Sequence, residues 1–387
     1  MREMKSGRLL VISHEFPPVG GGGSSGFRDQ LDALPGAEGD IITSLAEGLP
    51  AFEQRGAFRI HRVGLSKKIN YETSGSRAAS WLVFAAFTLA ALGKGFVLCL
   101  RSEYSLVIAN YAIPAGLVSL LLGKLFSLKT AVNIIEADIL DPGSECREPY
   151  RGPLRLAVMA ALRGADKLTA ISSHIRGLAR LHYGASLEID VVPFPASLPE
   201  ISPLSRAEAG FGEKDFVLAF TGRLVKRKGL AFAVRSLAAL GPDVKLVIIG
   251  DGPEKGPLSA LAAQLGISGR LIFKGFLGES EKFSILSACD AFLVPSLHEG
   301  LCLAAVEAMH AGLPVITTRN GGITDIVEEG VNGLFTDYGD VEALNEKVRR
   351  LKEDAGLRAR ISAANPAKAA GFLPRKTAAS YLEALGL

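Results

Sequence analysis

The stretch "AFLVPSLHEGLCLAAVEAMHAGLPVITT", residues 291–318, decides the fold class. Its two ends, "AFLVPS" and "PVITT", are short apolar runs typical of buried strands. A helical pattern lies between them and ends near Gly312 and Pro314, as helix C-termini commonly do. A strand, a helix and a second strand in this order predict two parallel strands joined by a crossover helix.

The same alternation occurs along most of the chain. Seven strand candidates come first, at 8–13, 40–44, 59–63, 105–110, 130–135, 167–172 and 189–194. Six more follow, at 216–222, 244–250, 270–276, 291–296, 314–318 and 333–336. Most of these runs are continuously apolar, as expected for strands that helices cover on both faces. We therefore predict an α/β protein with two doubly wound, Rossmann-like domains that face each other across a cleft.

The domain boundary is predicted from a change in composition. The segment "PFPASLPEISPLSRAEAG", 193–210, contains four prolines and fits neither a helical nor a strand period. We predict a first domain at 1–195, a linker at 196–210 and a second domain at 211–373. The last helix, within 374–387, is followed by no strand and is expected to dock back on the first domain.

Composition limits the function classes. The chain has 387 residues, of which 48% are hydrophobic and 21% charged, and its net charge of +3 is too small to indicate a nucleic-acid partner. The four cysteines are far apart and form no zinc-binding pattern, which fits a reducing cytoplasm. The N-terminal stretch runs directly into a strand pattern, so no signal peptide is expected. The cysteines are Cys99, Cys146, Cys289 and Cys302.

One segment is apolar enough to concern a membrane. Residues 81–100, "WLVFAAFTLAALGKGFVLCL", are interrupted by Lys94, which would cost roughly 2.5–3.5 kcal/mol at the centre of a bilayer. The segment also lies between strands of one sheet, so a helix docked in the fold is the main expectation. A helix seated on the inner membrane face and a true span are the alternatives. Nearby cations would favour an anionic leaflet; these are Lys67, Lys68, Arg77, Lys94 and Arg101.

In open α/β sheets ligands bind at the carboxyl ends of strands, so the residues that follow predicted strands are the site candidates. After the first strand comes "EFPPVGGGGSSG", 15–26, with four consecutive glycines at Gly20–Gly23. Such a run lets backbone N–H groups approach a phosphate ahead of a helix N-terminus. A flexible surface loop is the alternative. The inserted prolines make the turn too long for a dinucleotide fingerprint, which disfavours a Rossmann-type oxidoreductase.

Two cations follow the first strand of the second domain. In "TGRLVKRKGL", 221–230, Arg223 and Lys228 flank a short turn into a helix, with no acid between them. Arginine provides a planar fork and lysine a point charge for a phosphate group. We interpret Lys226 and Arg227 as a solvated charge run.

Two glutamates, Glu299 and Glu307, stand eight residues apart in the opening stretch. If the helix begins near Gly300, Glu299 is its N-cap and the pair is separated by about 12 Å along the axis, too far to share a proton or a metal. They could grip two ends of one extended ligand, with N–H groups at the helix start holding an anion between them. An N-cap glutamate and an exposed helical glutamate are the alternative. A further glycine pair in "RNGGITDIVEEG", 319–330, could add backbone donors.

Taken together, these stretches resemble the retaining nucleotide-sugar glycosyltransferases of family 4, the glycosyl transferases group 1 of the GT-B fold. The matching text is "FTGRLVKRKGL" (220–230), "IIGDGPEKGPLSALA" (248–262), residues 271–318 and "GGITDIVEEGVNGLF" (321–335). The resemblance covers nearly the whole chain and is strongest over 216–340. It implies transfer of a sugar from a nucleotide diphosphate sugar to a glycan or lipid-linked acceptor, with no metal or other cofactor.

The resemblance also implies roles for single residues. Glu299 would contact hydroxyls of the donor sugar, Glu307 would contact the ribose, and Arg223 and Lys228 would clamp the diphosphate leaving group. The loop Gly20–Gly23 would close over the donor, and the backbone near Phe276 would touch the base. The full set of implied donor contacts is Gly20, Gly21, Gly22, Gly23, Gly222, Asp251, Gly252, Phe276, Leu277, Gly300, Leu301, Cys302, Leu303 and Glu307.

The sequence departs from the family pattern in one place. Many members carry a histidine in the loop after the strand that here ends "VNII", whereas this chain has Glu136 and Asp138 there. Glu136 is the expected substitute among the catalytic residues, and His14 is the best placed histidine elsewhere. The missing histidine motivates one alternative, a donor-binding module without transfer activity. A nucleotide-sugar epimerase on the same fold is a second alternative, which the "EGLCLAAVE" motif and the Arg/Lys spacing fit less well.

Overall fold

The computed structural model describes residues 7–67, 77–135, 139 and 149–387. Glu136 and Asp138 lie outside these residues, as does Lys68. The chain divides into two compact units, the first formed by Met1–Pro195 with Pro374–Leu387 and the second by Ala196–Leu373. The segment 196–210, expected to be a linker, therefore belongs to the second unit. Its Arg206 lies 3.1 Å from the carboxylate of Asp290, which fixes it there.

The first unit contains an eight-stranded sheet in the order β3-β4-β2-β1-β5-β6-β7-β8. All neighbouring pairs are parallel except β3 with β4, an antiparallel hairpin that the sequence did not predict. The short β3 alternates exposed and half-buried residues, which is typical of an edge strand. The strands are β1 (Arg8–Ser13), β2 (Gly39–Ala46), β3 (Phe52–Arg55), β4 (Phe58–Lys67), β5 (Tyr104–Asn110), β6 (Lys129–Ile134), β7 (Lys167–Ala170) and β8 (Asp190–Val191).

Helices cover this sheet. They are α1 (Gly22–Asp32), α2 (Arg77–Arg101), α3 (Leu117–Phe126), α4 (Gly152–Gly164), α5 (Ser173–Tyr183) and the C-terminal helix α13 (Pro374–Leu385). Helix α13 packs against α1 and β7. The buried hydroxyl of Tyr381 on this helix donates to Asn133 Oδ1 at 2.8 Å, so the last helix is part of the first unit.

A buried carboxylate ties together the amino ends of the central strands in the first unit. Asp40 is fully buried and accepts hydrogen bonds from Arg59 (2.6 Å) and Tyr104 (2.7 Å), with His61 Nε2 also at 2.7 Å. Burial alone would raise the pKa of Asp40, but hydrogen bonds from His61, Arg59 and Tyr104 outweigh it and hold the pKa well below its usual range. This cluster is at the edge opposite to the strand ends where ligands bind, so we assign it a structural role.

Helix α2 lies along β4 and packs on it without room for larger side chains. A Cβ on Gly64, which has φ +88°, would stand 3.1 Å from the Cα of Phe87. Phe87, Ala91 and Leu98 of this helix are buried. The segment Leu82–Arg101 of this helix has a mean hydropathy of 2.0. By length and composition alone it is long and apolar enough to cross a membrane. In the structure the helix is docked on the sheet, in line with the main expectation for this segment.

The second unit contains a six-stranded parallel sheet in the order β11-β10-β9-β12-β13-β14. The strands are β9 (Phe216–Thr221), β10 (Val244–Ile249), β11 (Leu271–Gly275), β12 (Ala291–Val294), β13 (Val315–Thr318) and β14 (Gly333–Thr336), and all six were predicted. The α-helices are α6 (Arg206–Ala209), α7 (Leu230–Ala238), α8 (Lys255–Gln264), α9 (Glu279–Ser287), α10 (Leu303–His310), α11 (Val341–Glu353) and α12 (Ala355–Ala369). Since β9 is paired with β10 on one side and β12 on the other, the winding direction reverses between β9 and β12. Such a switch point opens a crevice at the carboxyl ends of the two strands.

Candidate active site

Glycine contacts hold the loops after β9 and β10 together at the switch point. Gly250 has φ +135°, and a Cβ there would lie 2.1 Å from the carbonyl oxygen of Gly222. Gly222 N–H donates to the carbonyl of Ile249 at 3.0 Å. Gly252 approaches the backbone of Leu224 in the same way. Side chains on Gly250 or Gly252 would force these loops apart, so the predicted residue Gly252 serves to shape the backbone, and Gly222 supplies the carbonyl that Gly250 approaches.

A second close approach fixes Lys228. The segment Lys226–Lys228 forms one 3-10 turn that ends at Gly229, in the left-handed conformation with φ +67°. A Cβ on Gly229 would lie 1.9 Å from the carbonyl oxygen of Pro295, in the loop after β12. Leu297 N–H also donates to the carbonyl of Arg227 at 2.8 Å. The loops after β9 and β12 are therefore in direct backbone contact.

This contact brings Lys228 to Glu299. Lys228 Nζ donates to Glu299 Oε1 at 2.6 Å, and the two side chains are 16% and 7% exposed. Burial raises the pKa of Glu299, but the charges of Lys228 and Arg227 and the hydrogen bond from Lys228 lower it below its usual range. Glu299 is thus a carboxylate. Because an ammonium has three donors, Lys228 can bind Glu299 and an anionic ligand at once.

The backbone of Glu299 is held by the loop after β13. Glu299 N–H donates to the carbonyl of Asn320 at 3.3 Å, and Gly322 N–H donates to the carbonyl of Glu299 at 2.7 Å. Between them Gly321 has φ +93°, and a Cβ there would lie 2.0 Å from the backbone carbonyl oxygen of Glu299. The glycine pair of "RNGGITDIVEEG" therefore positions a side chain from another loop, a role that spacing along the chain could not indicate.

The helix after Glu299 begins later than expected. Helix α10 starts at Leu303 with Cys302 as its N-cap at φ +79°, so the expectation of a helix start near Gly300 and of Glu299 as N-cap was wrong. The reason is the β-bridge between Glu299 and Gly321, which keeps the chain extended at that point. At the start of α10, Ala305 N–H donates to the carbonyl of Cys302 at 3.0 Å, so the N–H groups without helical acceptors are those of Leu303 and Ala304. The distance of about 12 Å along one helix axis likewise does not apply.

Glu307 has a partner of its own. It lies in the second turn of α10, and its Oε1 is 2.9 Å from Nζ of Lys282 on α9. Burial raises the pKa of Glu307, an effect that Lys282 opposes but does not cancel. The two glutamates thus belong to two separate ion pairs and share neither a proton nor a partner. Sequence reasoning missed Lys282, because "ESEKFS" has the alternating charges of an ordinary exposed helix.

Other predicted residues lie around the same edge of the sheet. Arg223 is exposed directly after β9. Asp251 follows β10, where its Oδ1 accepts from Gly252 N–H at 2.7 Å, so the carboxylate stabilises its own turn. Phe276 and Leu277 follow β11, and Phe276 is 89% exposed. The structure therefore gathers the predicted residues of the second unit at the carboxyl ends of four neighbouring strands.

The glycine run lies in the first unit, at the carboxyl end of β1. Gly21 is the N-cap of α1, and Gly22 and Gly23 form its first turn, as expected for a loop leading into a helix N-terminus. Gly20 has φ +100°, and a Cβ on it would meet the Ser24 side chain at 2.5 Å. His14 is buried beside Tyr111, with ring centroids 4.4 Å apart. In the part of the chain that the structure describes, no three His, Cys, Asp or Glu residues are grouped to hold a metal ion.

Comparison with known proteins gives the fold of the chain and a family match for part of it. The fold is GT-B, shared with a sucrose-phosphate synthase from Thermosynechococcus elongatus at a TM-score of 0.82, with 20% identity and coverage of 97% of this chain and 98% of that one. Residues 202–368 match the model of the family described as "Glycosyl transferases group 1". This match lies within the second unit.

Individual relatives match to different extents. A 2-deoxystreptamine glucosyltransferase from Streptomyces kanamyceticus is 34% identical over 206 residues, which cover 50% of this chain and 53% of that protein. The chain spans about half the length of this and two further curated relatives. A GDP-mannose-dependent phosphatidylinositol monomannoside mannosyltransferase from Mycolicibacterium smegmatis is 25% identical over 367 residues, 89% of each chain.

Proposed function

We propose that this protein is a retaining, metal-independent hexosyltransferase. It would move a sugar from a nucleoside diphosphate sugar to a hydroxyl of a glycan or lipid-linked acceptor, at the cytoplasmic face of a membrane. The observation that carries the proposal is the Lys228–Glu299 ion pair at the switch point of the second sheet. One member offers positive charge to a diphosphate, and the other offers an acceptor to sugar hydroxyls.

The chemistry follows from these charges. Breaking the bond between the anomeric carbon and the diphosphate oxygen leaves negative charge on the leaving group. Lys228 stabilises that charge in a position fixed beforehand by the Gly229 and Pro295 contact, and Arg223 and the first turn of α10 add to it. Glu299, kept ionised beside Lys228, accepts hydrogen bonds from the sugar and orients it. Glu307 accepts hydrogen bonds from the ribose at the other end of the donor.

The relatives support both parts of the proposal. The mannosyltransferase from Mycolicibacterium smegmatis is described as using GDP-mannose and a phosphatidylinositol mannoside, which supports a nucleotide sugar donor and a lipid-linked acceptor. The Streptomyces kanamyceticus relative is described as a 2-deoxystreptamine glucosyltransferase. The family match at residues 202–368 lies in the second unit, which carries most of the candidate site, so the donor side of the proposal is better supported than the acceptor side.

The direct test is release of nucleoside diphosphate. Purified protein is incubated with a panel of nucleotide sugars, with and without added chelator, and free nucleoside diphosphate is measured. A transferase should release it slowly from one donor even with water as the acceptor, and chelator should not matter. Interconversion of nucleotide sugars without release would indicate the epimerase instead. Donor affinity with no release under any acceptor would indicate a binding module.

Exchange of Glu307 for glutamine tests the ribose role. We expect donor affinity to fall roughly tenfold or more, the value of a hydrogen bond to a charged acceptor, while the rate at saturating donor changes little. Donor titration by calorimetry and a KM-against-kcat comparison measure the two effects. Glu281→Gln is the control, because Glu281 is an exposed carboxylate in the first turn of α9. A pure rate effect with unchanged affinity would contradict the assignment.

A further inference from the structure

Helix α2 presents an apolar face to solvent. The solvent-facing side of a surface helix normally carries charged or polar residues. Here, between Leu82 and Leu100, where the side chains are described, the exposed positions lie along one side of the helix and carry no polar group. They are Leu82, Ala85, Leu89, Gly93, Phe96, Val97 and Leu100. This stripe is about 27 Å long at the rise of an α-helix.

Helix α3 extends the same surface. A Cβ on Gly95 would lie 2.5 Å from Leu122 Cδ1, so α2 and α3 are packed closely. The rings of Phe96 and Phe126 are 5.3 Å apart, which joins the exposed sides of the two helices. On α3, Leu121 and Leu125 are exposed. The result is a contiguous apolar surface on two helices. On ordinary protein surfaces exposed leucines are scattered singly.

The charges on these helices have one sign. Residues 77–101 and 112–126 contain Arg77, Lys94, Arg101 and Lys124, and no aspartate or glutamate. Within the described part of the chain, Lys94, Arg101 and Lys124 are in no ion pair. Cations beside an apolar surface complement the anionic lipids of a bilayer, where lysine and arginine can reach the headgroups while their stems stay in contact with apolar residues.

The packing on the inner side of α2 determines how such contact would occur. Phe87, Ala91 and Leu98 are buried against the sheet, and Gly64 leaves no space below Phe87. A helix that spanned the bilayer would have to leave these contacts. A helix that lies flat keeps them and buries the opposite stripe, which is the arrangement of interfacial amphipathic helices.

We propose that the surface formed by α2 and α3 binds an anionic lipid bilayer, with both helices flat in its interface. The stripe of α2 enters the boundary between headgroups and acyl chains, and Lys94, Arg101 and Lys124 contact lipid phosphates. The proposal stands on this surface alone and does not depend on the transferase activity.

The test is vesicle flotation of the full chain. Wild-type protein is expected to float with vesicles of phosphatidylcholine mixed with phosphatidylglycerol, and much less with phosphatidylcholine alone. Leu89→Glu should weaken binding roughly tenfold or more, since it removes a buried leucine from the interface. Lys124→Ala should weaken binding to the anionic vesicles about fivefold.

Two controls match the variants closely. Leu181 on α5 is 74% exposed against 73% for Leu89, so Leu181→Glu adds the same charge to an equally exposed leucine elsewhere. Lys214→Ala removes an exposed lysine from the second unit. Equal binding by Leu89→Glu and Leu181→Glu, or no flotation of the wild type with either vesicle, would overturn the proposal. A wild-type dimer that Leu89→Glu converts to a monomer, without vesicle binding, would assign the surface to a second copy of the chain.

Discussion

Replacing Lys228 by alanine is expected to slow release of nucleoside diphosphate by about two to three orders of magnitude. This is roughly the effect of removing one preorganised donor from a developing oxyanion. The ammonium is held 2.6 Å from the Glu299 carboxylate. Single-turnover release of nucleoside diphosphate at saturating donor measures the effect on the chemical step.

A control separates this role from general surface charge. Lys226 is an exposed lysine in the same 3-10 turn, and Lys226→Ala should leave the rate within about twofold of wild type.

The loss of a buried ion-pair partner could also destabilise the protein, because Glu299 would keep a buried charge without its partner. The double variant Lys228→Met, Glu299→Gln removes both charges and should recover thermal stability while remaining inactive. Full activity in either variant with the Lys228 ammonium removed would rule out the assigned role.

Gly229→Ala is expected to give the largest loss of stability. An alanine at φ +67° costs about 1–2 kcal/mol by itself, and its Cβ would meet the Pro295 carbonyl oxygen at 1.9 Å. The position of the alanine Cβ is fixed by its own backbone, and the Pro295 oxygen is a backbone atom, so neither can turn away. The loops after β9 and β12 must therefore separate. We expect a loss in unfolding free energy of roughly 3 kcal/mol or more, and weaker donor binding because Lys228 moves away from Glu299. Denaturant unfolding and donor titration measure the two effects.

Gly266→Ala isolates the contribution of the clash. Gly266 has φ +70°, almost the same backbone conformation, but a Cβ there would have no atom within 4 Å. It should cost about 1–2 kcal/mol and leave donor binding unchanged. If the two variants unfolded at the same denaturant concentration, the close approach of the two loops would be wrong.

The elements of the fold were largely predictable because their signals are local. A buried parallel strand is an apolar run, and its crossover helix repeats every three to four residues, so residues 291–318 alone indicated strand, helix, strand. The hairpin strand β3 was missed. Its four residues, "FEQR", are too few and too polar to give a strand pattern, and they are a strand only because β4 pairs with them.

The residues of the candidate site could be proposed from the sequence, but their spatial arrangement could not. Lys228 and Glu299 were identified from their positions after strands, and the structure pairs them. The start of α10 was misplaced by three residues because the deciding contact, the bridge from Glu299 to Gly321, comes from another loop. Lys282 was missed for the same reason, since its role appears only when α9 is placed beside α10.

Local sequence patterns determined most of the strands and helices, their parallel winding and the residue types at the strand ends, because each of these depends on neighbours within a few residues. The tertiary structure alone decided which of those residues meet. Glu299 pairs with Lys228, and Glu307 with Lys282, because sheet order and close glycine contacts bring distant loops together. It likewise decided that the apolar segment 82–100 has one face on the sheet and one in solvent. Periodicity reports how apolar a helix is, whereas burial depends on what the rest of the chain places against it.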